Sequence, residues 1–447
     1  MYKIEIKDNE IFKRHKKYLK DNIIPKLKDN KNRIIFEDED IVELNSKTGK
    51  KYSKGYVQRQ HDKFIKYFCV NYKIICVGKK DKLIKINNEI NKFFPVIKQL
   101  IDKQFKFSNK NLKYKGQMYS NALVDLFGYN HFNEDSKSFY EIIFAEAKKQ
   151  VGISAIDKSN YMNVQNKIKE ILCLIFPKIK VQIESFWKGK NPRKAERKTG
   201  KLKKDFIELE EKYSLGLTID NYDNNIFDNI WNPYIFIFSS KVRTCPYCNR
   251  QYITPILTSN GKSRGNLDHL LPKSKYPYFS MSIYNLIPVC NSCNSSLKGG
   301  KEFSFDSLNP YEESLDDYIS FKADINSNYI YIKIDKKNDD KEEAIKEVLD
   351  TYKLELQYNY HKNQVKELII KRLAYSEEYI NDLITNENLS NISRDEIMEN
   401  LIGYAKDSKY INNEPLSKFR KDIVNQLGFE TDLDDNEIIN KLKSVIK

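Results

Sequence analysis

The stretch that decides the fold begins Cys245-Pro246-Tyr247-Cys248, continues through Asp268-His269-Leu270-Leu271-Pro272-Lys273-Ser274 and ends Asn285-Leu286-Ile287-Pro288-Val289-Cys290-Asn291-Ser292-Cys293-Asn294. Two Cys-x-x-Cys pairs, separated by 41 residues, thus bracket an Asp-His pair. Paired thiolates at this spacing are typical of a tetrahedral zinc site. Four sulfur ligands leave no open position on the metal. We therefore predict a structural zinc ion, bound by Cys245, Cys248, Cys290 and Cys293, that contributes ~10–16 kcal/mol to folding.

The composition allows several hydrophobic cores. The chain has 447 residues, of which 40% are hydrophobic and 31% charged, and this length suffices for two or three domains. Neither an apolar run of about 18 residues nor a signal-peptide-like apolar stretch at the N-terminus is present. Seven cysteines, four of them at metal-binding spacing, do not suggest a disulfide framework. We expect a reduced, cytoplasmic protein without a membrane span.

Charge is distributed unevenly along the chain. Residues 1–240 contain 48 Lys and Arg against 30 Asp and Glu, a net charge of +18. Residues 241–305 have a net charge of +7, and residues 306–447 a net charge of −10. A polyanion such as nucleic acid is therefore expected to bind the first two segments rather than the last.

Hydrophobic periodicity predicts an α+β protein with mostly helical outer segments. Helical spacing is found in residues 117–151, 160–176 and 341–384, and shorter helices are expected from there to residue 447. Strands are predicted at residues 251–257, before a turn at 259–261, and at residues 329–334. The basic run at residues 187–204 is predicted to be an exposed loop or helix start. We divide the chain into a basic, mainly helical region (1–239), a small zinc-containing α+β module (240–305) and an acidic, mainly helical region (306–447).

The central module resembles the HNH endonucleases of the ββα-metal (His-Me finger) superfamily. The resemblance covers roughly residues 240–305 and rests on the order and spacing of Asp-His-x-x-Pro-x-Ser and Asn-Leu-x-Pro-x-Cys-x-x-Cys-Asn. It implies that His269 ends the first strand and is the general base that activates water. Asp268 is then a ligand of a catalytic divalent ion, and the side chain of Asn285 ties the loop to the backbone and orients the histidine.

The same resemblance places Asn294 at the start of a helix as a second ligand of the catalytic ion. This position is histidine in the namesake form of the family, so the chain is a His-Asn-Asn variant. Carboxylate and amide oxygens suit Mg²⁺ or Mn²⁺ better than zinc. Lys298, four residues after Asn294, is expected in the first turn of that helix, where it could contact a phosphate; many relatives have a spacing of three.

The chemistry of phosphodiester hydrolysis leads to the same residues. The reaction needs a base that is active near neutral pH, and histidine has an unperturbed pKa of about 6.5. It also needs positive charge near the phosphate, which a divalent ion and nearby lysines supply. The remaining histidines, His15, His61, His131 and His361, lack ligand-like spacing and are expected at the surface.

The sequence therefore predicts a metal-dependent HNH endonuclease that acts on DNA. A looser resemblance, to the HNH subunits that bacteria pair with an ATPase such as the Septu type, implies antiphage defence with an ATPase partner. The alternatives are a restriction-type or mobile-element nuclease, an inactive scaffold subunit, and a non-catalytic zinc subunit that binds nucleic acid. The residues do not separate DNA from RNA, or single from double strands.

Overall fold

The computed structural model describes residues 2–6, 9–111, 113–135, 137–221, 230–326, 329–338, 340–375, 377–385 and 391–429. The chain divides into two units. The N-terminal unit comprises Ile6–Lys241 and Thr254–Ile287, and the C-terminal unit comprises Met1–Glu5, Val242–Ile253 and Pro288–Lys447. Residues 240–305 contribute to both units. The three-segment division at 239/240 and 305/306 stays a prediction.

The N-terminal unit is built mainly of helices. Its α-helices are α1 (Glu10–Tyr18), α2 (Ile24–Lys28), α3 (Asp38–Thr48), α4 (Lys54–Val77), α5 (Lys80–Phe93), α6 (Pro95–Asp102), α7 (Tyr119–Leu126), α8 (Tyr129–Glu134), α9 (Phe139–Val151), α10 (Tyr161–Ile175), α11 (Lys180–Lys188), α12 (Thr199–Tyr213) and α13 (Pro233–Ser240). A π-helical segment, Leu19–Ile23, joins α1 to α2. The helix predicted over residues 160–176 is confirmed as α10, which Pro177 follows after Phe176.

The helical pattern predicted over residues 117–151 corresponds to three helices, α7, α8 and α9. The first break occurs at Gly128, whose φ of 89° lies in the left-handed region that favours glycine. A side chain at this position would also overlap that of Ile23. The second break precedes α9, where Ser138 and Glu141 form a capping box. Gly128 therefore allows the turn that starts α8 at Tyr129.

Short strands complete the N-terminal unit. Strands β1 (Ile256–Leu257) and β2 (Lys262–Ser263) are antiparallel, and the predicted turn at residues 259–261 connects them. The strand predicted over residues 251–257 is confirmed only at its end, because Ile253 donates a hydrogen bond to the carbonyl of Arg243 (2.8 Å) instead of extending β1. Strand β3 (Asn266–His269) pairs with β4 (Leu286–Val289), which continues into the C-terminal unit at Pro288.

The core of the N-terminal unit is rich in aromatic residues. Helix α13 is buried along most of its length, and Ile235, Phe236, Ile237 and Phe238 are each 0% exposed. They pack with residues of α9, α10 and α12 and with Leu267 of β3. Burial of this apolar surface is the main source of stability, at roughly 25 cal/mol per Å². Strand β3 is therefore anchored in the core through Leu267.

The C-terminal unit combines a β-hairpin with helices. Strands β5 (Ile319–Asn326) and β6 (Tyr329–Lys336) are antiparallel and confirm the strand predicted at residues 329–334. The helices are α14 (Glu342–Tyr352), α15 (Leu354–Tyr358), α16 (Lys362–Ala374), α17 (Glu377–Ile384), α18 (Arg394–Ile402) and α19 (Ser417–Gln426). The helical pattern of residues 341–384 thus corresponds to α14–α17. The shorter helices expected after residue 384 correspond to α18 and α19 as far as residue 429, and the prediction for residues 430–447 lies outside the described residues.

Side chains from α19 satisfy the backbone of β5. Asp422 accepts a hydrogen bond from the Phe321 N–H group (2.7 Å), and Gln426 accepts one from Ala323 N–H (2.7 Å). This protects a strand edge whose unpaired groups would otherwise attract another strand. Among the described residues, none of the helices combines the length and apolar composition needed to cross a membrane.

Candidate functional site

The four predicted zinc ligands come together in the C-terminal unit. The Sγ atoms of Cys245, Cys248, Cys290 and Cys293 all lie within 4.8 Å of one another, and all four residues are buried. The sulfurs of Cys248 and Cys290 are 3.9 Å apart, too far for a disulfide bond. Tetrahedral Zn–S bonds of about 2.3 Å would place sulfur atoms about 3.8 Å apart. The cluster can hold a metal ion, and its geometry is compatible with structural zinc.

A tight turn after the first cysteine pair positions two of these sulfurs. Asn249 has a φ of 49°, in the left-handed region, and its N–H group donates a hydrogen bond to the carbonyl of Cys245 (2.7 Å). Its side chain, which is fully buried, donates to the carbonyl of Ile411 (2.7 Å) and accepts from the N–H of Lys418 (3.2 Å). Asparagine tolerates this conformation better than most residues. Asn249 therefore joins the cysteine turn to α19, a role for which the local sequence gives no signal.

Ionised cysteines in this buried cluster would need a counter-charge. Burial raises the pKa of the Cys245 thiol well above its usual value, because a thiolate without a counter-charge is costly to bury. The N–H group of Cys293 donates to the sulfur of Cys290 (3.4 Å), which stabilises negative charge on that sulfur. A bound divalent ion would supply this counter-charge and let the thiols that coordinate it ionise.

The Asp-His pair lies at the end of β3 in the N-terminal unit. Asp268 and His269 are 6% and 8% exposed, so both are largely enclosed but still reach solvent. The Nε2 atom of His269 lies 2.9 Å from the carbonyl oxygen of Ser280. A carbonyl only accepts hydrogen bonds, so Nε2 carries the proton of the neutral imidazole, and Nδ1 is the nitrogen that can take up a proton. The geometry thus defines the tautomer of His269.

Tyr129, at the start of α8, packs against this histidine. The two rings meet edge to face with their centroids 4.4 Å apart. Lys273 places its Nζ 5.1 Å from the centroid of the same tyrosine ring. Burial raises the pKa of Tyr129 to about 12, so its hydroxyl stays protonated at neutral pH. No local sequence pattern pointed to Tyr129, which is 140 residues from His269 in the chain.

Asn285 ties together the loop between β3 and β4. It is 0% exposed, and its Oδ1 accepts a hydrogen bond from Leu271 N–H (2.6 Å). Its Nδ2 donates to the carbonyls of Leu271 (3.1 Å) and Phe279 (3.1 Å). The loop held in this way includes Ser280, whose carbonyl orients His269. Asn285 thus ties this loop to its own backbone, and its part in catalysis stays a prediction.

Asn294 and Lys298 lie in the C-terminal unit, on a π-helical segment that spans Ser292–Lys298. The helix begins two residues before Asn294, so the prediction that Asn294 opens it is wrong, although Asn294 remains in its first turn. Lys298 is the last residue of the helix and not part of its first turn, which corrects a second prediction. Lys298 is 4% exposed, with its Nζ 5.1 Å from the centroid of the Phe303 ring. Its contact with a phosphate stays a prediction.

Two of the histidines expected at the surface are buried. The Nδ1 of His15 accepts a hydrogen bond from the indole of Trp231 (2.9 Å), and its Nε2 donates to the carbonyl of Met281 (2.6 Å). His61 is 1% exposed and bonds to the hydroxyl of Tyr119 (2.8 Å). Burial lowers the pKa of both histidines to about 4. The expectation failed because the partners of these residues are distant in the sequence.

Comparisons with known proteins do not assign the chain to a family. No family model and no solved structure matches it. The chain is similar to protein ea31 of Escherichia phage lambda, with 33% identity over 81 residues, which cover 17% of this chain and 24% of the phage protein. The match thus spans about a quarter of the length of that relative, whose name states no activity.

Proposed function

We propose that this protein is a metal-dependent endonuclease of the HNH type that hydrolyses phosphodiester bonds in DNA. The observation that carries the proposal is the arrangement at the end of β3. There His269 follows a carboxylate and donates its Nε2 proton to a backbone carbonyl. Asn285 holds the loop that supplies this carbonyl, so the imidazole has one orientation and one tautomer.

In the proposed reaction, Nδ1 of His269 removes a proton from the attacking water. The imidazolium that forms keeps its hydrogen bond from Nε2 to Ser280, and positive charge strengthens a hydrogen bond of this kind. General base catalysis contributes typically ~10²–10⁴-fold to the rate. The contact with Tyr129 restricts rotation of the ring and thereby favours proton transfer at Nδ1.

A Mg²⁺ or Mn²⁺ ion is part of the proposal. The donor set fits such an ion, since Asp268 offers carboxylate oxygens and Asn294 an amide oxygen. Within the described residues, the four cysteines form a compact group of potential metal ligands, and Asp268 belongs to no comparable group. Asp268 and Asn294 lie in different units, so their joint action on one ion is inferred from the resemblance. When bound, the ion would stabilise negative charge on the phosphate and the leaving oxygen.

The cysteine cluster is assigned a separate, structural role. A zinc ion bound by four thiolates has no coordination site left for water or substrate. It would fix the turn at Cys245–Cys248 relative to the π-helix that carries Asn294. Catalysis and zinc binding are therefore expected to respond to different substitutions.

We assign a role in bacterial antiphage defence, with an ATPase partner, as the biological setting. The support is the looser resemblance to HNH subunits of such systems. An ATPase gene next to the gene for this protein would agree with this setting, whereas transposase or methyltransferase genes at that position would favour the mobile-element or restriction alternatives.

The test of the nuclease proposal is the substitution His269→Ala in the full chain. We expect loss of plasmid cleavage by at least about 100-fold with Mg²⁺ or Mn²⁺, because the base acts on the barrier and not on binding. Zinc content and DNA affinity should match those of the wild type. His131→Ala is the matched control, since His131 is exposed and lies on α8 like Tyr129. Cleavage at the wild-type rate by His269→Ala would refute the proposed base.

A further inference from the structure

An open, basic cleft of about 620 Å³ lies in the N-terminal unit, outside the site described above. Two loops line it, the one that precedes α10 and the one that leads into α12. The lining residues are Ile156, Asp157, Lys158, Ser159, Lys194, Arg197, Lys198 and Thr199. Four of these side chains are cations and one is an anion. The cleft therefore has a formal charge of +3.

The lysines that line the cleft are not neutralised by carboxylates. Within the described part of the chain, Lys158, Lys194 and Lys198 have no carboxylate within ion-pair distance, and all three are exposed. The single anion, Asp157, is committed to its own loop, where it accepts hydrogen bonds from Ser159 N–H (2.7 Å) and Asn160 N–H (3.0 Å). The positive charge of the cleft is thus available to a ligand.

Neighbouring lysines of the same basic run are arranged differently. Lys190 pairs with Glu208 (2.7 Å), and Lys201 pairs with the buried Asp205 (2.9 Å). Lys190 fastens the start of the loop to α12, and Lys201 forms its ion pair within the first turns of that helix. The run at residues 187–204 therefore contains lysines that pair with carboxylates near its two ends, and lysines without such a partner in its middle. A solvated linker does not require this difference.

We propose that this cleft binds the phosphate backbone of a nucleic acid. Four cations on two loops match a chain of regularly spaced negative charges, and the hydroxyl of Thr199 can donate a hydrogen bond to a phosphate oxygen. Such contacts position a nucleic acid without reading its sequence. The inference relies on the proposed nuclease function only for the choice of DNA as the probe.

The experiment replaces all four cations by glutamine, as Lys158→Gln, Lys194→Gln, Arg197→Gln and Lys198→Gln, in the full chain. Binding of a 30-base-pair duplex is measured by fluorescence anisotropy at several salt concentrations without added divalent ion. Each lost phosphate contact lowers the slope of log K against log salt by about 0.7–0.9, so we expect the slope to fall by about 3. Should the quadruple variant fold poorly by circular dichroism, the three lysine substitutions alone should lower the slope by about 2.

The matched control removes the same charge from exposed lysines around α5, as Lys79→Gln, Lys82→Gln, Lys85→Gln and Lys92→Gln. A slope that is unchanged in the cleft variant, or that falls equally in the control, would overturn the proposal. Competition by poly-L-glutamate as strong as that by duplex DNA would also overturn it, since the cleft would then take acidic polypeptide equally well. Cleavage is assayed separately, so an inactive wild-type protein that still binds DNA through the cleft would refute only the nuclease function.

Discussion

Asn285 offers the sharpest test of how the loop between β3 and β4 is held. The substitution Asn285→Ala removes three side-chain hydrogen bonds, one from Leu271 N–H and two to carbonyl oxygens, at a residue that is 0% exposed. A hydrogen bond contributes a net ~1 kcal/mol, and a buried partner left unsatisfied costs ~1–3 kcal/mol. We therefore expect the loop to lose about 3 kcal/mol of stability against local opening.

Hydrogen exchange measured by mass spectrometry gives this quantity directly. Amides of residues 270–285 that exchange by local opening should exchange roughly 100-fold faster in the variant, since 1.4 kcal/mol corresponds to a factor of ten. Cleavage should also fall, because the carbonyl of Ser280 would no longer hold His269 in one orientation. Zinc content should not change, since the cysteine cluster lies in the other unit.

Asn249→Ala is the matched control for this experiment. Asn249 is equally buried and also bonds to backbone groups, those of Ile411 and Lys418, but within the C-terminal unit. Its loss should speed exchange around residues 245–250 and 411–418 and leave residues 270–285 unchanged. Exchange of the 270–285 loop within about threefold of the wild type in Asn285→Ala would refute the reasoning.

Further predictions concern the metals and pH. Cys245→Ser should expel zinc and unfold the cysteine turn, as measured by metal analysis and proteolysis; full zinc occupancy would remove Cys245 from the ligand set. Asp268→Ala and Asn294→Ala should each shift the Mg²⁺ titration of cleavage to higher concentration, with partial rescue by Mn²⁺ for Asn294; unchanged titrations would remove both from the ion site. His15 and His61 have folded-state pKa values of about 4 against about 6.5 when unfolded, so the unfolded chain binds more protons as the pH falls through this window. Each histidine should lower the free energy of unfolding by about 2 kcal/mol between pH 7 and pH 5. Urea denaturation at the two pH values measures this change, and an unfolding free energy that does not depend on pH would contradict the prediction.

Local patterns in the sequence predicted the elements that depend on near neighbours. The apolar spacing before Pro177 gave α10 to within a residue at each end, and the alternation at residues 329–334 gave β6. The turn at residues 259–261 followed from its Ser-Asn-Gly composition. In each case the deciding interactions lie within a few residues, so composition and periodicity suffice.

The boundaries of the helix near Asn294 show where such patterns fail. The spacing of cysteines and asparagines did not reveal that the segment is π-helical and starts at Ser292. Nor did the strand pattern at residues 251–257 reveal that Ile253 pairs with Arg243. The β-propensity of a residue does not decide which backbone group it pairs with. The packing of the surrounding side chains contributes more free energy than the difference in propensity, so packing decides the pairing.

The sequence by itself determined the four-cysteine cluster, because the cluster rests on thiol side chains at fixed spacing. The candidate catalytic residues come from the resemblance of the central module and stay a prediction. Only the tertiary structure decided which residues surround them. Tyr129 meets His269 across 140 residues of chain, and Asn249 meets Lys418 across 169. Residues 240–305 likewise contribute to two units. Such contacts form when apolar surfaces that are distant in the sequence pack together and become buried. No local sequence pattern predicts which of these surfaces will be in contact.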